Sequence, residues 1–174
     1  MKNVLRSGVA ALTLGALALL VGAATAGTTP QVKSSLQASS ANAAFSGKYA
    51  GRAVVRATSD VAADINASGS GKSNVLGASK VTGIGKGFQG SPCSSFSGAG
   101  AIKGRQGAIK FMLAAGAKAC PSAADPNQNA ITASAKVTGG TLKFKKARGT
   151  LKITGNYDRG KGTFTATFKG TIRF

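Results

Sequence analysis

Most of this chain changes chemistry at every second residue, and that habit excludes a helical fold. Tyr49, Ala53, Val55 and Ala57 alternate with Lys48, Arg52 and Arg56, and Val61, Ala63, Ile65 and Ala67 with Asp60, Asp64 and Asn66. Ile131, Ala133, Ala135 and Val137 alternate with Thr132, Ser134 and Lys136. In the last segment Phe164, Ala166, Phe168, Ile172 and Phe174 share one parity, and Thr163, Thr165, Thr167, Lys169, Thr171 and Arg173 the other. Successive side chains of a strand point to opposite faces, so each run predicts a strand with one buried and one wet face. Glycine-rich and polar breaks at Gly69–Gly71, Gly104–Gly107, Pro121–Asn129 and Asn156–Gly160 separate these runs. They divide the chain into roughly eight or nine short strands, the pattern of an all-β barrel or sandwich. The connections are too short for crossovers, which makes neighbouring strands antiparallel.

One hairpin carries its own check. Let residues 94–103 pair with 107–118 around Gly104–Gly107, with Ile102 opposite Phe111. Phe96 then faces Ala117 and Gly100 faces Leu113, while Ser95, Ser97, Lys110 and Lys118 take the other side. The same register sets Cys93 opposite Cys120, near enough to bridge after slight adjustment. A pair of cysteines and no others is what a disulfide in an oxidising compartment requires.

The N-terminus points to that compartment. Lys2 and Arg6 precede an apolar run from Val9 to Val21, and Ala24-Thr25-Ala26 follows as a small-x-small exit. These are the three parts of a cleavable secretory signal, expected over 1–26 as a helix. The run is too short to span a bilayer, which takes about 20 apolar residues, and no later segment is apolar enough. The expected mature protein is secreted, with no transmembrane segment. Residues 27–44 are small and polar without sustained period, a flexible leader, and 45–174 form the one domain.

Charge and residue types narrow the chemistry. The chain has 23 Lys and Arg against four acidic residues, no His and a formal net charge of +19. Without His there is no Ser–His or Cys–His pair and no imidazole base. Four scattered aspartates do not suit a calcium site, and zinc wants Cys and His clusters. No catalytic residue, metal site or cofactor is expected. Gly83-Ile84-Gly85-Lys86-Gly87 shares only composition with a phosphate loop. The densest basic run is Lys143, Lys145, Lys146, Arg148 and Lys152, a candidate anion-binding patch or a solvated strand face. Phe144, Phe164 and Phe168 alternate inward, so the exposed aromatics used for stacking on nucleic acid are missing, and no specific nucleic-acid partner is expected.

The chain from Gly139 onward, with Gly139-Gly140-Thr141, then Phe144, Ala147 and Gly149, then a hairpin into a last strand, resembles the allene oxide cyclase–dirigent barrel superfamily and its small secreted bacterial members. Many members have a further glycine where Leu142 stands. The resemblance covers the last 36 residues, 139–174, and implies a single antiparallel eight-stranded β-barrel, a closure that removes sheet edges. Tyr49, Phe96, Phe111, Phe144, Phe164 and Phe168 are then the expected barrel lining. Allene oxide cyclases rely on a Glu, which this chain lacks; dirigent proteins use Asp, Arg and Tyr. The nearest set here is Tyr49, Arg52, Asp60 and Asp64, of which alternation turns only Tyr49 inward. The expected role is non-enzymatic, binding or structural, at the cell exterior. Its partner is either a small apolar ligand in the barrel or an anionic surface polymer on the outer wall. A dirigent-like or cyclase-like activity is the remaining alternative.

Overall fold

Alternating residues become strands, and the strands close on themselves. The computed structural model describes residues 42–174; the expected signal peptide lies outside them, as does most of the expected leader. The described chain forms nine strands: β1 Asn42–Ala57, β2 Ala62–Ser73, β3 Gly77–Phe88, β4 Ser94–Gly104, β5 Gly107–Leu113, β6 Lys118–Pro121, β7 Gln128–Gly140, β8 Arg148–Asp158 and β9 Thr163–Arg173. All pairings are antiparallel, in the order β3-β2-β1-β9-β8-β7-β5-β4, and a β3–β4 ladder shuts the ring into an eight-stranded barrel. The short β6 pairs with both β4 and β7 beyond the end of β5. The expected leader ends too late at Ala44. Asn42 and Ala43 already pair with Arg173 and Ile172, because the first strand needs that length to reach the end of the last.

Burial follows the parity. Tyr49, Val81, Ile102, Ile109, Phe111, Val137, Leu151, Ile153, Phe168 and Ile172 form the interior. Edge-to-face ring contacts join Tyr49 to Phe168 at 5.5 Å and Phe111 to Phe168 at 5.7 Å between centroids, a favoured aromatic geometry. Two expectations about inward residues fail at one rim. Pairing of β1 with β9 stops at Arg52–Thr163, so β1 continues beside β2 alone and Val55 is 46% exposed. Val61 lies in the β1–β2 turn and is 62% exposed.

Two expected turns are strand. Gly69-Ser70-Gly71 continues β2, because Gly69 and Gly71 lie opposite Gly51 and Tyr49 and the Tyr49 ring covers Gly71. Likewise Asn156, Tyr157 and Asp158 finish β8, and the turn falls at 159–162. The β4–β5 hairpin turns at Arg105-Gln106 as expected, but its register slips by two residues. Gly100 faces Phe111 and Ile102 faces Ile109, since the Phe111 ring occupies the space left by the missing Cβ of Gly100. At the far end the expected partners return: Phe96 N–H donates to the Ala117 carbonyl at 3.0 Å, and Cys93 and Cys120 form a disulfide. The slip is absorbed between β5 and β6, where Gly116 takes φ +89°.

Candidate anion-binding surface

The wet parity is where this chain puts its cations. Every strand lysine and arginine sits on the outer positions, from Lys48 and Arg52 of β1 to Lys169 and Arg173 of β9, and all are exposed. Several face one another directly across a ladder: Lys48 and Lys72, Lys80 and Lys103, Lys152 and Lys169, and Arg148 and Arg173. Like charges directly opposite on a sheet are destabilising. None of the eight forms an ion pair among the described residues, where the two ion pairs are Lys86–Asp64 at 3.6 Å and Lys161–Asp158 at 3.4 Å.

The acids are all at the other end of the barrel. Asp60 lies in the β1–β2 turn, Asp64 opens β2, Asp125 lies between β6 and β7, and Asp158 closes β8. The end where β1 begins and β9 finishes therefore has no carboxylate side chain. Asp158 accepts the Lys161 backbone N–H at 2.9 Å. That bond, aided by the charge of Lys161, holds its carboxyl below the usual 3.8.

The predicted basic run is not one strand face. Lys143 belongs to a 3₁₀ turn at Leu142–Phe144, Lys145 and Lys146 follow it, and only Arg148 and Lys152 are on β8. Phe144 is accordingly not a strand residue. It is fully buried, packs on Phe174 at 4.8 Å and plugs the acid-free end of the barrel. The Lys143 ammonium lies 5.0 Å from the Phe144 ring and 5.5 Å from Phe174, a cation–π arrangement. Arg148 donates to the carbonyls of Thr138 and Ala147. Thr141 fastens the plug to β5, its Oγ1 accepting the Ala108 N–H at 2.9 Å and its N–H donating to the Ala108 carbonyl. Leu142, at φ +51°, is 73% exposed at the tip.

No family model matches the chain, and none of the curated proteins or solved structures matches it either.

The remaining predicted residues divide by depth. Tyr49, Phe111 and Phe168 fill the interior of the plugged half, and Phe96 and Phe164 are partly buried toward the other end. Tyr49 Oη bonds Ser79 Oγ at 2.9 Å inside the barrel. Arg52, Asp60 and Asp64 do not join Tyr49: Arg52 and Asp64 occupy outer positions and Asp60 a turn. Sequence reasoning missed the opposed cation pairs, because parity assigns a face to each lysine but not its neighbour on the next strand.

Proposed function

We propose that the chain works outside the cytoplasm as a non-enzymatic barrel that holds anionic cell-surface polymers against its outer wall. The observation that carries this reading is the set of directly opposed lysine and arginine pairs with no carboxylate side chain beside them. Each unit-charge pair at about 8 Å in water costs about 0.5 kcal/mol, a cost that an external polyanion reverses in sign.

The interior favours the outer wall over the lumen. Tyr49, Phe111 and Phe168 occupy the space that a small apolar ligand would need in the plugged half. A dirigent-like or cyclase-like reaction needs an acid facing the lumen, and Asp64 and Asp158 sit on outer strand positions while Asp60 and Asp125 sit in turns. Kinship with the allene oxide cyclase–dirigent superfamily stays part of the proposal. It is supported by the way Gly139, Gly140, Thr141, Phe144 and Ala147 combine in one plug.

The test is retention on immobilised heparin and on teichoic acid. Strong retention at low ionic strength that falls steeply with added salt is expected. Passage through both columns at low ionic strength would overturn the proposal.

A further inference from the structure

The opposed pairs belong to a larger pattern. Lys48, Lys72, Lys80 and Lys103 stand on consecutive strands β1 to β4, and the step from Lys72 to Lys80 is a two-residue diagonal, since Lys72 faces Ala78 and Lys80 faces Ser70. Lys103 passes by the same diagonal to Lys110 on β5, which sits opposite Ala101. Lys110 leads to Lys136 on β7, which faces Met112, and Lys136 leads to Lys152 on β8, which faces Ser134. Lys152 faces Lys169 on β9, and Lys169 returns by one more diagonal to Lys48. Each barrel strand thus contributes one exposed lysine to the circuit, and each has its neighbour directly opposite or two residues along, except where the register shift at Lys110/Phe111 sets Lys136 three residues from Gly139, the residue opposite Lys110. Direct neighbours have Cβ atoms about 5 Å apart and diagonal ones about 7–8 Å apart.

We infer that this closed belt of lysines is the binding track, and that one linear polyanion wraps around the barrel rather than lying along one side. The inference rests on the polymer-binding reading above and adds its geometry. The charge is continuous around the wall: no aspartate interrupts the circuit, and the outer positions between its members are small or neutral, such as Ala78, Ala101, Thr150, Thr167 and Ser134. A flat anionic surface reaches only one side of such a belt, whereas a flexible chain reaches all of it. At about 4.8 Å between strands and a tilt near 40°, eight strands present about 50 Å of wall to be followed.

Three double variants decide it. K48Q/K72Q empties one side of the belt, and K110Q/K136Q empties the opposite side. K145Q/K146Q removes the same charge from the plug loop. All six lysines are exposed, so the fold is checked simply by unchanged circular dichroism. Affinity for long heparin is measured against salt, and repeated with an oligosaccharide much shorter than the circumference and with anionic lipid vesicles.

Wrapping predicts that both belt variants weaken long heparin by about five- to tenfold and flatten its log–log salt slope by about 1.4, from two lost contacts. The loop variant changes affinity less than twofold, and the short oligosaccharide loses the salt slope that the long chain shows. If only one belt variant matters, or if vesicles bind as tightly as long heparin, the site is one-sided and the belt is overturned. If the loop variant alone matters, the belt is overturned while polymer binding stands. Failure of the unmodified protein to bind heparin or teichoic acid at low salt overturns both readings.

Discussion

At the scale of single residues, the inner face is a contest between rings and glycines. Gly51, Gly155 and Gly170 lie where an added Cβ would run into the carbonyls of Ser68, Thr165 and Thr150 on adjacent strands. Glycine inside a strand permits such close approach of a neighbouring backbone. Gly170→Ala should therefore destabilise by about 1–3 kcal/mol, read as a lower midpoint in urea. Phe168, in contact with both Tyr49 and Phe111, should cost about 3–5 kcal/mol when cut to Ala. Asp158 sets a pH limit. Its carboxyl is held below the usual 3.8 in the folded protein by the Lys161 N–H, so its contribution is present above that value and is lost as pH falls through the lower folded one. In Asp158→Asn, the part of the acid unfolding curve below about pH 4 that depends on this group should flatten; an unchanged curve there would assign the effect elsewhere.

At the scale of elements, β4, β5 and β6 show how a barrel reconciles two demands. Phe111 must sit on Gly100, and Cys93 must meet Cys120, and these registers differ by two residues. The break between β5 and β6 satisfies both, and the disulfide holds it. Removing the bridge, which spans a sequence separation of 27, should cost about 3.5 kcal/mol on the chain-entropy model. Cys93→Ser/Cys120→Ser, compared with the oxidised protein by chemical denaturation, measures it. The same logic explains why Gly69-Ser70-Gly71 resembles a turn in sequence. Glycine serves turns and close approaches equally, and only the Tyr49 ring on the neighbouring strand distinguishes them.

At the scale of the whole molecule, the excess of Lys and Arg over Asp among the described residues is organised. Lysines ring the wall, the plugged end has no acidic side chain, and the aspartates gather at the opposite rim. Self-repulsion in such an arrangement opposes the folded state. Neutralising a directly opposed pair, as in Lys152→Gln/Lys169→Gln, should raise the melting temperature by about 1–3 °C at low ionic strength. The gain should shrink in salt, and a pair that melts no higher at low salt would show that the repulsion is already screened.

Parity was legible from residues alone: Phe164, Ala166, Phe168 and Ile172 announce an inner face, and their threonine and lysine neighbours an outer one. That information is local, because each side chain's face is set by its own position along a strand. A slip of two residues preserves every face, so the alternation could not reveal that Phe111 faces Gly100 instead of Ile102. Phe144 misled for a related reason: it keeps the parity of a strand but follows Gly139 and Gly140, where the chain leaves the sheet to plug the end. The lysine belt lay beyond the sequence altogether. Lys48 meets Lys72 and Lys152 meets Lys169 only once ladders between distant segments are set. Alternation by itself determined what is greasy and what is charged. Tertiary structure decided which charges stand together, because register comes from ring-on-glycine packing between strands and not from the order of residues within one.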